Sequence, residues 1–284
     1  MFGSLKLGKF FGIDLYIHST FWLLPLYVLF SRASAGNMSN AVFDVVVLFG
    51  VFGCIALHEV GHALAARYYG IGTRDITLYP MGGIARLERM TERPFPEIVI
   101  ALAGPAVNLV IAAGLFVCLL ASNIVLADSL AISDDIVVVF AEKLLVANLF
   151  LFGFNLLPAF PMDGGRVFRA VLGLFGMRRL EATKVAVGVG AVIAIAFGLA
   201  GLLLPNMNMS LILVGVVVFF LGQAELAAVH AQDVRHRSRE MSDEDFEPPV
   251  THRQGSFSGW TWDPVRRVWG EWRHGVLVRE VPVV

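Results

Sequence analysis

Charged residues are scarce in this sequence: Asp, Glu, Lys and Arg together make up 16% of its 284 residues. Soluble domains contain about 25% charged residues, whereas here 57% of the chain is hydrophobic and the mean hydropathy is +0.71. This composition excludes a soluble enzyme and predicts an all-α polytopic membrane protein. An excess of basic charge is also lacking, because 22 basic residues are balanced by 23 acidic ones. The overall charge therefore does not favour nucleic acid as a partner.

Cysteine is rare as well. Cys54 and Cys118 both lie inside apolar runs, where a cysteine behaves as a small hydrophobic residue. They are too few and too far apart to form a disulfide scaffold or a cysteine-based metal site. A protein held together by disulfides and a metal site built from cysteines are therefore both excluded.

Long apolar runs, in contrast, are abundant. Crossing a hydrocarbon core of about 30 Å takes about 20 helical residues. Six transmembrane helices are predicted, the first of them short, at residues 15–30, 43–66, 97–121, 136–157, 185–204 and 209–229. All basic residues except Arg32 and Lys143 fall before the first run or in the connections that follow even-numbered runs. By the positive-inside rule both termini are expected in the cytoplasm.

The first run has a second interpretation. Lys6 and Lys9, an apolar core and the small residues Ala33-Ser34-Ala35 resemble a cleavable signal peptide. The long stretch before the apolar core and the presence of Arg32 directly after it favour a retained first helix instead.

A segment between the second and third runs has the pattern of two strands. Ile76 to Tyr79 and Ile84 to Leu87 flank Pro80-Met81-Gly82-Gly83, and the two glycines can supply the positive φ of a tight turn. Backbone amides near a membrane need hydrogen-bond partners. We therefore predict a membrane-associated β-hairpin packed against the helices at the cytoplasmic interface, with an ordinary connecting loop as the alternative.

The composition changes after His230. Residues 231–255 are rich in charge and contain two consecutive prolines, which predicts a hydrophilic linker after a membrane domain of residues 1–230. Residues 256–284 alternate polar residues with four of the five tryptophans, Trp260, Trp262, Trp269 and Trp272, a pattern typical of a small β segment of three strands. So short a segment buries little surface alone, so an unknown partner or the membrane surface is expected to order it.

The second run carries the sequence His58-Glu59-Val60-Gly61-His62. Histidines at positions i and i+4 project from one face of a helix, so both imidazoles can bind one Zn²⁺, while the glutamate between them can take a proton from water. Ionisable side chains in an apolar helix are costly in lipid unless they serve an interior site. The pattern therefore predicts a zinc peptidase within the membrane.

A catalytic zinc needs a third protein ligand, and Asp163 is the first candidate. It follows Pro158 and Pro161 and precedes Gly164-Gly165, a sequence that opens a helix and lets the backbone turn. Two alternatives stay open at this point. Another type of membrane zinc protease would use a glutamate from a later helix, Glu142, Glu181 or Glu225, and a metal-binding transporter or sensor would use the same ligands without needing Glu59.

Together the two motifs resemble the site-2 protease family of intramembrane zinc metalloproteases, and the resemblance extends over about residues 10–230. It implies that one Zn²⁺ is bound by His58, His62 and Asp163, that Glu59 is the general base and acid, and that spans two to four form a three-helix catalytic core. It further implies that the protein lies in a bacterial or archaeal inner membrane. Its substrates would be membrane-spanning signalling proteins such as anti-sigma factors.

Asparagine and glycine residues complete the predicted site. Asn155 matches the asparagine that the family has eight residues before its aspartate ligand, where an amide can hydrogen-bond the oxyanion or the substrate backbone. Asn148 is a second candidate for substrate binding, with an interhelical hydrogen bond as its alternative. Gly82 and Gly83 are expected to shape a hairpin that pairs with the unwound substrate. The segment from Gly104 to Asn108 is interpreted as helix packing or support for the metal ligands.

Overall fold

A computed structural model describes residues 3–34, 36, 38–88, 91, 93–127, 136–204, 208–244, 257–264 and 266–282. It divides into two compact units, Met1–His230 and Ala231–Val284. The first unit begins with β1 (Ser4–Phe10), β2 (Ile13–His18), a 3-10 turn (Ser19–Trp22) and α1 (Leu23–Ser34). The chain continues with α2 (Met38–Tyr68), β3 (Thr73–Tyr79), β4 (Gly82–Leu87), α3 (Pro94–Ala127), α4 (Ile136–Asn155), α5 (Asp163–Leu174), α6 (Arg179–Leu203) and α7 (Met209–Glu244).

Five helices of the described residues are long and apolar enough to cross a membrane: α2, α3, α4, α6 and α7. They correspond to the second to sixth predicted spans. The first predicted span, 15–30, is not confirmed, because its beginning belongs to β2 and its helix α1 has only 12 residues. At 1.5 Å per residue, α1 is about 18 Å long, shorter than the hydrocarbon core.

The predicted hairpin is half of a larger structure. β3 and β4 pair antiparallel, β2 pairs parallel with β3, and β1 pairs antiparallel with β2, giving a four-stranded sheet in the order β1-β2-β3-β4. An all-α fold is therefore corrected to a helical protein with a mixed sheet. Ile13 and Ile76 of the sheet pack on Val60 and Ala63 of α2, which fixes the sheet against the helix that carries the predicted metal ligands.

Helices α2 and α3 approach each other closely. A Cβ atom on Gly61 would lie 2.8 Å from the Ala103 carbonyl oxygen and 2.8 Å from Val107, so glycine is required where the two helices meet. This contact lies between the two histidines of α2, and it brings α3 alongside the predicted site.

The C-terminal unit contains β5 (Gly259–Asp263), β6 (Val268–Arg273) and β7 (Val276–Pro282), paired antiparallel in that order. The Trp272 indole N–H donates a hydrogen bond of 2.7 Å to the Thr261 hydroxyl, and the rings of Trp262 and Trp269 are 5.4 Å apart. Helix α7 continues to Glu244, so the first part of the predicted linker is helical. The boundaries at residues 230 and 255 stay a prediction.

Candidate active site

The side chains of His58, His62 and Asp163 meet although about a hundred residues separate the aspartate from the histidines. The two Nε2 atoms are 3.0 Å apart, and Asp163 Oδ2 lies 3.2 Å from His58 Nε2 and 3.1 Å from His62 Nε2. All three residues are buried. In the described part of the chain this is the one group of three His, Cys, Asp or Glu side chains arranged closely enough to hold a metal ion. Glu142, Glu181 and Glu225 do not join it.

The orientation of His62 is set by the backbone of α3. Its Nδ1 lies 2.7 Å from the Ile100 carbonyl oxygen, which can only accept a hydrogen bond, so Nδ1 carries the proton. In the neutral imidazole Nε2 then presents its lone pair to Asp163 and His58. His58 Nε2, His62 Nε2 and Asp163 Oδ2 thus converge in a buried space, an arrangement that suits a cation between them.

The triangle is slightly smaller than the one that three ligands form around a zinc ion. Nitrogen and oxygen ligands 2.0–2.2 Å from a tetrahedral Zn²⁺ are about 3.3–3.6 Å apart. The three donor atoms here are 3.0–3.2 Å apart, so they need to move outward by only a few tenths of an ångström to hold the ion. Two histidines and one carboxylate also form a ligand set of the catalytic zinc type, which keeps a fourth position for water or substrate. The residues present therefore fit a zinc ion.

Gly104 of α3 makes the space for the two imidazoles. A Cβ atom at this position would lie 2.3 Å from His62 Nε2 and 2.7 Å from His58 Nε2. Any side chain on Gly104 would therefore occupy the room of the ligands or of the ion. From the sequence alone, this segment is predicted only to pack helices or to support the metal ligands, since the identity of the facing atoms depends on the tertiary structure.

The two glycines after Asp163 serve close packing. A Cβ atom on Gly164 would lie 2.3 Å from the Leu156 and Leu157 carbonyl oxygens, and one on Gly165 would lie 2.7 Å from Ala159. Because neither glycine has a side chain, the start of α5 lies directly on the end of the turn that leaves α4. This contact turns the chain so that Asp163 reaches the histidines.

Glu59 lies on α2 between the two histidines but outside their triangle. Its Oε2 accepts a hydrogen bond of 3.1 Å from the Ala85 N–H of β4. The carboxylate is thus bound to the sheet by this hydrogen bond and is not one of the three side chains that form the candidate metal site.

Gly82 and Gly83 have different tasks. The turn itself is Pro80-Met81, and Gly82 follows it with a φ of 139°, a conformation that favours glycine. Gly83 is required for another reason, because a Cβ atom there would lie 2.7 Å from Glu59 Cγ. A role for Gly83 in the turn is therefore replaced by close contact with the glutamate.

The two asparagines of α4 differ in their surroundings. The Asn155 amide donates a hydrogen bond of 2.9 Å to the Leu151 carbonyl at the end of the helix, and no contact joins it to the triangle. Asn148 is fully buried and donates to the Leu144 carbonyl and to Cys54 Sγ of α2, at 2.8 and 3.2 Å. This contact favours the interhelical alternative for Asn148.

Two features of the site were missed in the sequence. The Ile100 carbonyl that orients His62 is a backbone group, which no side-chain pattern can reveal. Asn108, noted there only as possible support for the metal ligands, is fully buried, and neither polar atom of its amide has a hydrogen-bond partner in the part of the chain that the structure describes.

Comparison with known proteins agrees with this geometry. The sequence profile of Peptidase family M50 matches residues 46–137 and 120–200, together more than half of the chain. A zinc metalloprotease of Methanocaldococcus jannaschii is 34% identical over 232 residues, which are 81% of this chain and 63% of the relative. A relative from Synechocystis is 32% identical over 247 residues, 82% of this chain and 62% of its own length. The chain thus spans about three fifths of the length of these relatives.

A solved structure is also similar. The site-2 protease from Methanocaldococcus jannaschii superposes with a TM-score of 0.55 at 32% sequence identity, covering 79% of this chain and 95% of that protein. The profile match extends over α2, α3, α4 and α5, which carry the triangle, Glu59 and Gly104. The chain belongs to peptidase family M50, in the site-2 protease group that its paired motifs resemble.

Proposed function

We propose that this protein is an intramembrane zinc metalloprotease that hydrolyses peptide bonds within or near the transmembrane helices of membrane-anchored substrates. The observation that carries this proposal is the buried triangle of His58, His62 and Asp163 with the Glu59 carboxylate beside it. α2, which holds three of these four side chains, is apolar enough to cross a membrane. A hydrolytic site on such a helix is suited to substrates that reach it through the bilayer.

In the proposed reaction, His58, His62 and Asp163 bind the metal ion and Glu59 transfers protons. His58, His62 and Asp163 would hold the zinc ion, which would supply Lewis acidity towards the peptide carbonyl and the attacking water. Glu59 takes the proton of the attacking water and delivers it to the leaving amine, acting first as general base and then as general acid. The Ala85 N–H holds one oxygen of this carboxylate and leaves the other to accept the proton.

A metal-binding transporter or sensor is the alternative function. It would need the three ligands, but it would not need an acid outside the ligand triangle. Glu59 is such an acid, and β4 holds it beside the ligands instead of letting it join them. The similarity to proteins named zinc metalloproteases supports the protease as well.

The outer side of β4 is well situated to present the substrate. Scissile amides in a transmembrane helix are hydrogen-bonded, so cleavage requires local unwinding, and the released groups need partners. The Ala85 N–H points away from β3 towards Glu59. Because N–H directions alternate along a strand, those of Gly83 and Leu87 also point to this outer side. Strand addition there would lay the unwound segment beside the general base.

Asn155 is proposed to contact the substrate near the cleaved bond. One N–H of its amide donates to the Leu151 carbonyl, and a side-chain amide has a second N–H that can donate to an oxyanion or to substrate backbone. The first bond holds the side chain in place, so the second is offered in a defined direction. Asn148 lacks such a donor, since both of its N–H groups face Leu144 and Cys54.

We propose that both termini of the chain lie in the cytoplasm of a bacterial or archaeal cell, with the protein in its inner membrane. The sheet supports this orientation, because β2 and β3 are neighbours in it, and the chain between them leaves the sheet at His18 and returns at Thr73. α1 and α2 therefore start and end on the same side. The distribution of basic residues indicates that this side is cytoplasmic.

The partners proposed for the protein are the lipid bilayer and membrane-spanning signalling proteins as substrates, with no role for nucleic acid. The C-terminal segment exposes Trp260, Trp262 and Trp269. Aromatic rings with a polar edge suit a protein partner or the headgroup region of a membrane.

The proposal is tested by comparing membrane proteomes of cells that express the wild-type protein or Glu59→Gln. We expect substrates to accumulate as membrane-bound stubs in the variant, because zinc binding is retained while proton transfer is lost. A variant that supports normal turnover of all membrane proteins, together with a purified wild-type chain that hydrolyses no membrane peptide, would refute the proposal.

A further inference from the structure

Arg169 is the most deeply buried cationic side chain of the described residues, with 2% of its surface exposed. It lies on α5, six residues after Asp163, the first residue of that helix. A buried guanidinium requires partners, since an unpaired charge is strongly destabilising in an apolar surrounding.

Two carboxylates and one ring surround the guanidinium. Its Nε donates a hydrogen bond of 3.0 Å to Glu97 Oε1, and Nη2 donates to the same oxygen. Nη1 donates to Glu225 Oε1 at 2.9 Å. The Phe160 ring lies 5.0 Å away, within the range of a cation–π contact, in the turn before Asp163. Arg169 therefore joins α5 to α3 through Glu97 and to α7 through Glu225.

Through Glu97, Arg169 is connected to the part of α3 that orients His62. Glu97 lies one helical turn before Ile100, whose carbonyl orients His62. One turn of α3 thus holds a zinc ligand from α2 directly and, through Arg169, the short helix that begins with the ligand Asp163.

α5 needs such an external constraint. It has 12 residues, and Met162 at its start provides no side-chain cap. A helix of this length is marginal without tertiary contacts, so its direction, and with it the direction of Asp163, depends on what holds it.

We propose that Arg169 and Glu97 are positioning residues that set Asp163 at the correct distance from His58 and His62. This inference rests on the proposed zinc protease function. Arg169 acts through α5, and Glu97 does so through Arg169, so neither touches the ion or the substrate. The planar fork of arginine is required, because lysine offers a single charged atom and cannot donate in two fixed directions.

The test measures metal binding by the full-length protein in detergent. Arg169→Lys and Glu97→Gln are each expected to lower zinc affinity about 10–100-fold, the usual effect of losing support behind a metal ligand. They should also shift the visible bands of the Co²⁺-substituted protein, which report ligand geometry. Glu225→Gln is the matched control. Like Glu97→Gln, it neutralises a carboxylate that contacts Arg169, but it leaves the contact between Glu97 on α3 and Arg169 on α5 intact. Its zinc affinity is expected to stay within about twofold of the wild type.

Phe168→Ala is a second control, because Phe168 precedes Arg169 on α5 but packs against the apolar cluster of Phe160, Ala186 and Val187. If it lowers thermal stability as much as Arg169→Lys does but leaves the Co²⁺ bands unchanged, the positioning role is supported. Equal losses of zinc affinity in Glu97→Gln and Glu225→Gln, or wild-type affinity in both Arg169→Lys and Glu97→Gln, would overturn it. A wild-type protein that takes up no zinc would instead overturn the proposed function.

Discussion

At the scale of single residues, the space opposite the two imidazoles is as important as the imidazoles themselves. A methyl group on Gly104 would overlap His62 Nε2 and crowd His58 Nε2. Gly104→Ala is therefore expected to lower zinc content severely and to destabilise the fold by about 1–3 kcal/mol, the typical effect of overpacking. Metal analysis of the purified protein checks the first effect. Gly114→Ala, at a position of the same helix with open space around it, is the control and should bind zinc normally.

Asp163 is the proposed ligand that only the folded chain brings to the histidines. Asp163→Ala removes one of three protein ligands and should lower zinc affinity by more than the roughly 10–100-fold typical of lost supporting contacts. Competition with a chelator measures this change. Glu181→Ala serves as a control, because Glu181 lies outside the triangle. Wild-type affinity in Asp163→Ala would show that another residue is the third ligand.

Substitution of Glu59 is expected to abolish catalysis without affecting metal binding. Glu59→Gln keeps an oxygen that can accept the Ala85 hydrogen bond, so zinc content and thermal stability should stay close to those of the wild type. Hydrolysis of a membrane peptide should fall by at least about 10²–10⁴-fold, because an amide cannot carry the proton. An assay of purified protein that finds substantial residual turnover would contradict this assignment.

At the scale of elements, β4 has two sides with different roles. Ala85 and Leu87 direct their N–H groups away from β3, whereas Ile84 and Arg86 direct theirs towards it, as does Glu88, whose N–H bonds to the Gly72 carbonyl. A proline at Ile84 would therefore open the hairpin, while a proline at Leu87 removes a donor only from the outer side.

This difference allows strand addition to be tested. Leu87→Pro is expected to raise KM for a membrane substrate several-fold at unchanged zinc content, because one hydrogen bond to the added strand is worth about 0.5–1.5 kcal/mol. Leu87→Ala is the matched control: it shortens the same side chain but keeps the N–H. If the two variants have the same KM, the outer side of β4 does not bind substrate backbone.

Substitutions at two other positions of β4 act differently. Ile84→Pro should also lower cleavage at normal zinc content, but through loss of the β3–β4 pairing. Gly83→Val cannot report on the turn, since its side chain would push against Glu59. Its expected effect is a lower kcat.

At the scale of the whole molecule, the mixed sheet determines which ends of the helices lie together. Because β2 and β3 are neighbours in one sheet, the segment before α1 and the segment after α2 lie together, and we expect both on one side of the membrane. α3 and α4 would then cross the membrane and return to the same side, and α6 and α7 would do so again. We therefore expect both termini on the same side.

Cysteine labelling in oriented vesicles measures this arrangement. Single cysteines near the two termini, in a chain without Cys54 and Cys118, should react with a membrane-impermeant reagent only in inside-out vesicles. A cysteine between α3 and α4 should react only in right-side-out vesicles. Opposite accessibility of the two termini would show that α1 does not return the chain as proposed.

Features that depend on neighbours in the chain were predictable. A helix needs about 20 apolar residues in succession to cross the lipid, so α2, α3, α4, α6 and α7 were visible as apolar runs in the sequence. The spacing of His58, Glu59 and His62 is a property of one helix, and it revealed the metal chemistry directly. Asp163 could be predicted as a ligand because prolines and glycines around an acid in an apolar segment are costly without a function.

Features that depend on distant segments were decided by the tertiary structure. The pairing of β2 with β3 joins strands about 60 residues apart and turns an expected first span into a strand and a short helix. The Ile100 carbonyl, the space at Gly104 and the contact of Arg169 with Glu97 likewise exist only where α2, α3 and α5 meet. Each of these residues is ordinary for its own element, because the property that gives it a role is the distance to an atom of another element.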